Sequence, residues 1–133
     1  MDMTRGKIRN RQYATQVRDF SGLRFRNITP TDIDGLIEYR NKGYVFIETK
    51  YRDAHLPDGQ RLALERLCDD LERAGKPTLS IIASHSCNGD INVGDTTVSE
   101  YRFRYQWRLT RSETRTKDFV ARFLTWLEKD FNV

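Results

Sequence analysis

The alternation of apolar and polar residues changes period several times along the chain, and each change marks an element. Residues 11–20 carry Tyr13, Ala14, Val17 and Phe20 at near-helical spacing, which predicts a weakly amphipathic helix leading through Ser21-Gly22 into a short extended piece. From 31 to 50 the period falls to two. Residues 32–40 and 44–50 read as two strands, joined by Asn41-Lys42-Gly43, where a glycine is available for the positive-φ position of a three-residue hairpin. Residues 59–74 return to helical spacing, with Asp58 as the predicted cap, Leu64, Leu67, Cys68 and Leu71 as the apolar face, Gly75 as the stop and Pro77 beyond it. The apolar run 79–84 reads as a buried strand after that helix, which makes a crossover and a parallel pair. Residues 96–98 predict a further strand. Residues 101–109 alternate aromatics with Arg102, Arg104 and Arg108 and predict a single half-buried strand. A last amphipathic helix begins near 116 and presents Phe119, Val120, Phe123, Leu127 and Phe131. The order helix, hairpin, helix, strand, strand, helix predicts an α/β fold, a mixed sheet flanked by helices.

Composition narrows the class. With 133 residues, 38% of them hydrophobic and 32% charged, the chain has enough core-forming material for one domain over 1–133 and too much charge for a membrane protein. No apolar run approaches the roughly 20 residues of a spanning helix, and no apolar stretch of secretory type follows the basic start. Cys68 and Cys87 cannot build a disulfide framework, so a reducing cytosol, in a bacterium or its virus, is the expected setting.

Net charge is +4, but it is segregated: residues 1–26 and 101–117 each carry +5, residues 27–100 carry −5, and the tail carries −1. An acidic centre between basic segments suits a protein that grips a polyanion with its edges and holds cations at its middle. Lys7, Arg9 and Arg11, in a basic arm over 1–11, and Arg102, Arg104 and Arg108, lined up on one strand face, are the candidate phosphate contacts. Nothing resembles a base-reading helix–turn–helix or zinc finger.

The acidic centre holds the candidate chemistry. Glu48 and Lys50 share a strand face with Tyr44 and Phe46, while Val45, Ile47 and Thr49 point the other way. With 41–43 as the loop, Arg40 pairs with Tyr44, Leu36 lies opposite Glu48 and Asp34 opposite Lys50. Asp34 is then diagonal to Glu48 at about 7–8 Å of backbone separation, a span that two carboxylates can close onto one cation. Asp32 shares the face one step further out. Two carboxylates and a backbone carbonyl, for instance that of Thr49, suit Mg²⁺, and Lys50 beside the ion can orient a water. As a bare Glu-x-Lys the same residues would be an exposed ion pair of little worth.

Asp34, thirteen intervening residues, Glu48-Thr49-Lys50 and a helix opening at Gly59-Gln60 resemble the PD-(D/E)XK nuclease superfamily over residues 12–84. The resemblance implies a restriction-endonuclease-like αβββαβ core and Mg²⁺-dependent cleavage of DNA phosphodiesters, with Mn²⁺ as a substitute. It makes Asp34 and Glu48 metal ligands, Lys50 the catalytic lysine, and Gln60 the glutamine of the recombination-exonuclease branch. The sequence departs from the pattern because Pro30 is adjacent to neither Asp32 nor Asp34, which leaves both as the first ligand, with register favouring Asp34. A homodimer is expected if two DNA strands are to meet two sites. The rival reading is a nucleic-acid-binding module without catalysis on the same fold. A third is an interaction protein whose acidic centre meets a basic partner.

Overall fold

The computed structural model describes residues 19–130, and the chain divides into two compact units, 1–31 and 32–133. Among the described residues, the first unit contributes a 3-10 turn, Ser21–Leu23, and a bridge in which Phe25 and Ile28 exchange both backbone hydrogen bonds at 2.9 Å. Tyr13, Ala14 and Val17 of the expected first helix, the cations Lys7, Arg9 and Arg11, and Phe131 lie outside the described residues.

The second unit is a five-stranded mixed sheet flanked by two helices. Its order is β1 (Gly35–Tyr39), β2 (Gly43–Tyr51), β3 (Thr78–His85), β4 (Thr97–Phe103) and β5 (Gln106–Leu109), with α1 (Asp58–Arg73) between β2 and β3 and α2 (Thr116–Asp130) at the end. The pairs are antiparallel except β2 and β3, which run parallel around the α1 crossover, as the strand–helix–strand pattern requires. The mixed α/β sheet is the expected one and is consistent with a restriction-endonuclease-like core. Among the described residues, two strands precede the crossover helix.

Each face of the sheet has its own core. Val45, Ile47, Leu79, Ile81, Ala83 and Val98 bury against Phe123 and Leu127 of α2, while Phe46, Leu56 and Ile82 bury against Leu64 and Cys68 of α1. The buried strands are rich in β-branched residues, which suits a sheet covered on both sides.

Three expectations about local structure are corrected. The β1–β2 loop is 40–42: the Lys42 N–H donates to the Tyr39 carbonyl at 2.7 Å, and Arg40 and Asn41 both take positive φ (48° and 61°), the pattern of a type I′ turn. Gly43 lies in the strand instead, where a Cβ would collide with the Pro77 carbonyl and the Leu127 side chain. Residues 101–109 are a hairpin, not one strand, because Arg104 and Tyr105 turn the chain with positive φ (51° and 72°). Pro57, not Asp58, stands at the N-cap of α1, and Asp58 is the acidic residue of its first turn. The C-terminus of α1 is as expected: Gly75 takes φ 85°, its N–H bonds the Glu72 carbonyl and that of Lys76 the Leu71 carbonyl, a Schellman motif. Among the described residues no helix is long and apolar enough to cross a membrane.

Candidate metal and catalytic site

The corrected loop moves the β1–β2 register by two residues, so that Gly35 pairs with Ile47 and Leu36 with Phe46. Two is the side-chain period of a strand, so every face assignment survives the shift. Asp34 therefore meets Glu48 directly rather than diagonally: its N–H donates to Glu48 Oε1 at 3.2 Å. The Asp34 carboxylate is fixed in turn by Thr49, whose N–H and hydroxyl both donate to Oδ2, at 2.8 and 3.1 Å.

Gln60 completes the frame. The first turn of α1 carries its side chain over the sheet, where Nε2 donates to Glu48 Oε2 at 3.1 Å and to the Asp32 carbonyl at 3.1 Å, with Asp32 Oδ1 at 3.4 Å. Sequence reasoning left Asp32 and Asp34 as alternatives, and the structure gives them different places. Asp34 sits against Glu48 and Thr49, and Asp32 sits against Gln60. No pattern in the sequence announces the contact of Asp32 with Gln60, which spans 28 positions.

Glu48 is 1% exposed. Its pKa is raised to about 7, first by burial and then by the neighbouring charges of Asp34 and Asp32, against the Asp34 amide hydrogen bond and the Lys50 charge, which lower it. Each Glu48 oxygen receives one neutral donor, and a second lone pair on each is unassigned among these bonds. A buried carboxylate with two like charges beside it is a donor set that a hard cation would relieve, so Asp34 and Glu48 fit a divalent ion with oxygen ligands. The Thr49 groups seen here are donors to Asp34. Among the described residues no three His, Cys, Asp or Glu side chains come together as a group able to hold a metal.

The arginines do not form the expected row. Arg102 is 9% exposed and makes a two-pronged pair with Asp69 of α1 at 3.1 and 2.9 Å, and Arg104, in the turn, pairs with Glu72 at 3.3 Å. Arg108 pairs in register with Tyr101 and Arg102 with Trp107, which puts Arg108 and Arg102 on opposite faces. Trp107 also departs from the expected pattern: it lies on the Arg102 face, donating its indole N–H to Glu65 at 2.6 Å under Arg61, which is 4.3 Å from its ring centre. Arg61 in turn makes a two-pronged pair with Glu100 at 2.6 and 3.0 Å. These bonds fasten α1, and with it Gln60, to β4 and β5.

Other candidate groups lie apart from this chemistry. Cys68 is buried against Ser80 with its thiol pushed up to about 11 by desolvation, which removes it as a nucleophile. An apolar cavity of about 300 Å³, lined by Leu79, Tyr101, Phe103, Phe119, Phe123 and Trp126, lies on the opposite face of the sheet under α2. Comparison with protein-family models, curated proteins and solved structures finds no match.

Proposed function

We propose that the chain is a Mg²⁺-dependent nuclease of the PD-(D/E)XK kind that hydrolyses DNA phosphodiester bonds. The observation that carries the reading is the placement of Glu48: a carboxylate 1% exposed inside a sheet, in hydrogen-bond contact with the Asp34 amide and with Gln60. A buried carboxylate without a cationic partner in contact is unfavourable, and such arrangements concentrate at functional sites.

Asp34 and Glu48 would hold the cation, Mg²⁺ or Mn²⁺ in its place. A bound ion lowers the pKa of a coordinated water and offsets charge on the phosphate. The remaining work belongs to the chain. Lys50, two residues beyond Glu48 on the same face and close enough to influence its charge, orients the attacking water and stabilises the negative charge that gathers on the phosphate oxygens. Gln60 fixes the Glu48 carboxylate and ties it to the Asp32 backbone, and Thr49 fixes Asp34, so that both carboxylates are oriented before substrate arrives. Arg108 and the basic arm with Lys7, Arg9 and Arg11 are the proposed phosphate contacts, since Arg102 and Arg104 are engaged by Asp69 and Glu72. A dimer would bring two sites to two strands.

A second reading, a DNA-binding module without catalysis, is favoured by one observation: the acidic cluster reaches no three-ligand group among the described residues. Incubation of purified protein with supercoiled, linear and branched DNA in Mg²⁺, Mn²⁺ or EDTA separates the two. The nuclease reading expects cleavage that needs the cation and is lost in Glu48→Ala and Lys50→Ala. Salt-sensitive binding without cleavage in any cation would establish the binding module in its place.

A further inference from the structure

We infer that the end of β2 carries a stacking platform for an unpaired nucleobase, built from Tyr51, Arg52 and His85, which would make the substrate of the proposed nuclease single-stranded or branched DNA. The inference rests on the nuclease reading for the identity of the polymer, and on separate residues for its argument.

A strand advances about 3.3 Å per residue, so Tyr51 stands one step past Lys50 and three past Glu48. By alternation it shares the Thr49 side of the strand, and Thr49 is the residue that holds the Asp34 carboxylate. The parallel neighbour β3 ends in register, with Lys50 beside Ser84 and Tyr51 beside His85. The acidic site and this cluster therefore share the carboxyl ends of two parallel strands, the place where open α/β sheets take their ligands.

The three side chains form one assembly. Tyr51 and His85 meet edge to face, with ring centres 5.7 Å apart and planes at 65°. The Arg52 guanidinium lies 4.9 Å from the Tyr51 ring centre. Arg52 reaches it from a left-handed backbone (φ 51°), locked by its N–H bond to the His85 carbonyl at 2.7 Å. His85 Nδ1 is buried without a hydrogen-bond partner, so at that nitrogen the ring is placed by packing against Tyr51. In contrast to the aromatics packed beneath the two helices, Tyr51 is 39% exposed.

An accessible aromatic ring with a guanidinium against it is the composition that binds single strands: any base has a π face for the ring, and arginine supplies both a second plane and a charge for the phosphate. A base within a continuous duplex has no free face to offer. Bases at a single-stranded end, a flap or a junction do, so the platform selects an unpaired nucleotide at the end of the strand that carries Glu48 and Lys50, on the side of that strand opposite to them.

The test uses the whole chain in EDTA, so that cleavage does not intervene, with oligonucleotides carrying 2-aminopurine in single-stranded and duplex form. Stacking quenches this base. The wild-type protein and Tyr51→Trp should quench the single strand, and Tyr51→Leu should not. Single-strand affinity should fall about tenfold in Tyr51→Leu, and several-fold in Arg52→Gln, with less than about twofold change on duplex. Unaltered melting temperatures show that the variants are folded, and Tyr51→Trp, which restores an aromatic ring, controls for the loss of bulk. Equal quenching by Tyr51→Leu, or equal loss on single strand and duplex, would overturn the platform. Mg²⁺-dependent cleavage by wild type alongside such a result leaves the nuclease reading standing, whereas ring-dependent quenching without cleavage in any cation supports the platform and removes the catalysis.

Discussion

At Glu48 the demands of folding and of the proposed chemistry oppose each other. Its pKa in the fold is about 7, above the ordinary 4.5, so the folded chain holds a proton there that the unfolded chain releases. The stabilising contribution is complete below about pH 4.5 and is lost as pH rises through about 7. Without divalent cation, the urea midpoint of wild type should decline between pH 5 and 8 while that of Glu48→Gln stays flatter. The variant should be the more stable protein at pH 8, by roughly 1–3 kcal/mol. Coincident pH profiles for the two would show that Glu48 does not titrate in this way. Gln60→Ala removes the donor to Glu48 Oε2 and the tie to the Asp32 backbone, so cleavage should fall by about ten- to a hundredfold, with a stability cost of about 1 kcal/mol from the exposed helix end. Wild-type cleavage in Gln60→Ala would show that Glu48 needs no such support.

The elements explain what the sequence made legible and what it did not. The two helices, the parallel β2–β3 pair and the shared face of Phe46, Glu48 and Lys50 all follow from local periodicity, because one apolar stripe or one alternation suffices to define each of them. The turns were harder to read. Nothing in Arg40-Asn41-Lys42-Gly43 says that the glycine is reserved for close approach to Pro77 while Arg40 and Asn41 bear the positive φ, because that approach is made by a residue 34 positions away. Gly43→Ala should therefore cost about 2 kcal/mol or more in chemical denaturation, whereas Gly59→Ala, with open space at its Cβ, should lie within about 0.5 kcal/mol of wild type. The engagement of the arginines is hidden from the sequence for a related reason: alternation shows which side of a strand a residue takes, but not that the chain turns at Arg104 or that Asp69 and Glu72 of α1 lie opposite. Arg102→Ala should lower stability by about 3 kcal/mol through the stranded Asp69. Arg108→Ala should leave the melting temperature almost unaltered and, on the nuclease reading, weaken DNA binding. If Arg102→Ala weakens DNA binding while leaving stability intact, its pairing with Asp69 is not structural.

Across the molecule, charge follows the architecture of the second unit. Asp69 and Glu72 of α1 face Arg102 of β4 and Arg104 of the β4–β5 turn, so part of the charge segregation seen in the sequence is resolved inside the fold, while the charges of Asp32 and Asp34 act on Glu48 near the start of α1 and that of Lys50 opposes them. Two neighbouring carboxylates, Asp34 oriented by Thr49 and the buried Glu48 oriented by Gln60, are the reason for placing a cation there. The most direct measurement is a Mn²⁺ titration of the DNA-free chain at pH 8, followed by electron paramagnetic resonance, with Asp34→Asn and Glu48→Gln beside it. The account expects one Mn²⁺ per wild-type chain, competed by Mg²⁺ and lost in both variants. Wild-type protein that takes up no ion, or variants that bind it equally well, would contradict the claim that Asp34 and Glu48 form a metal site.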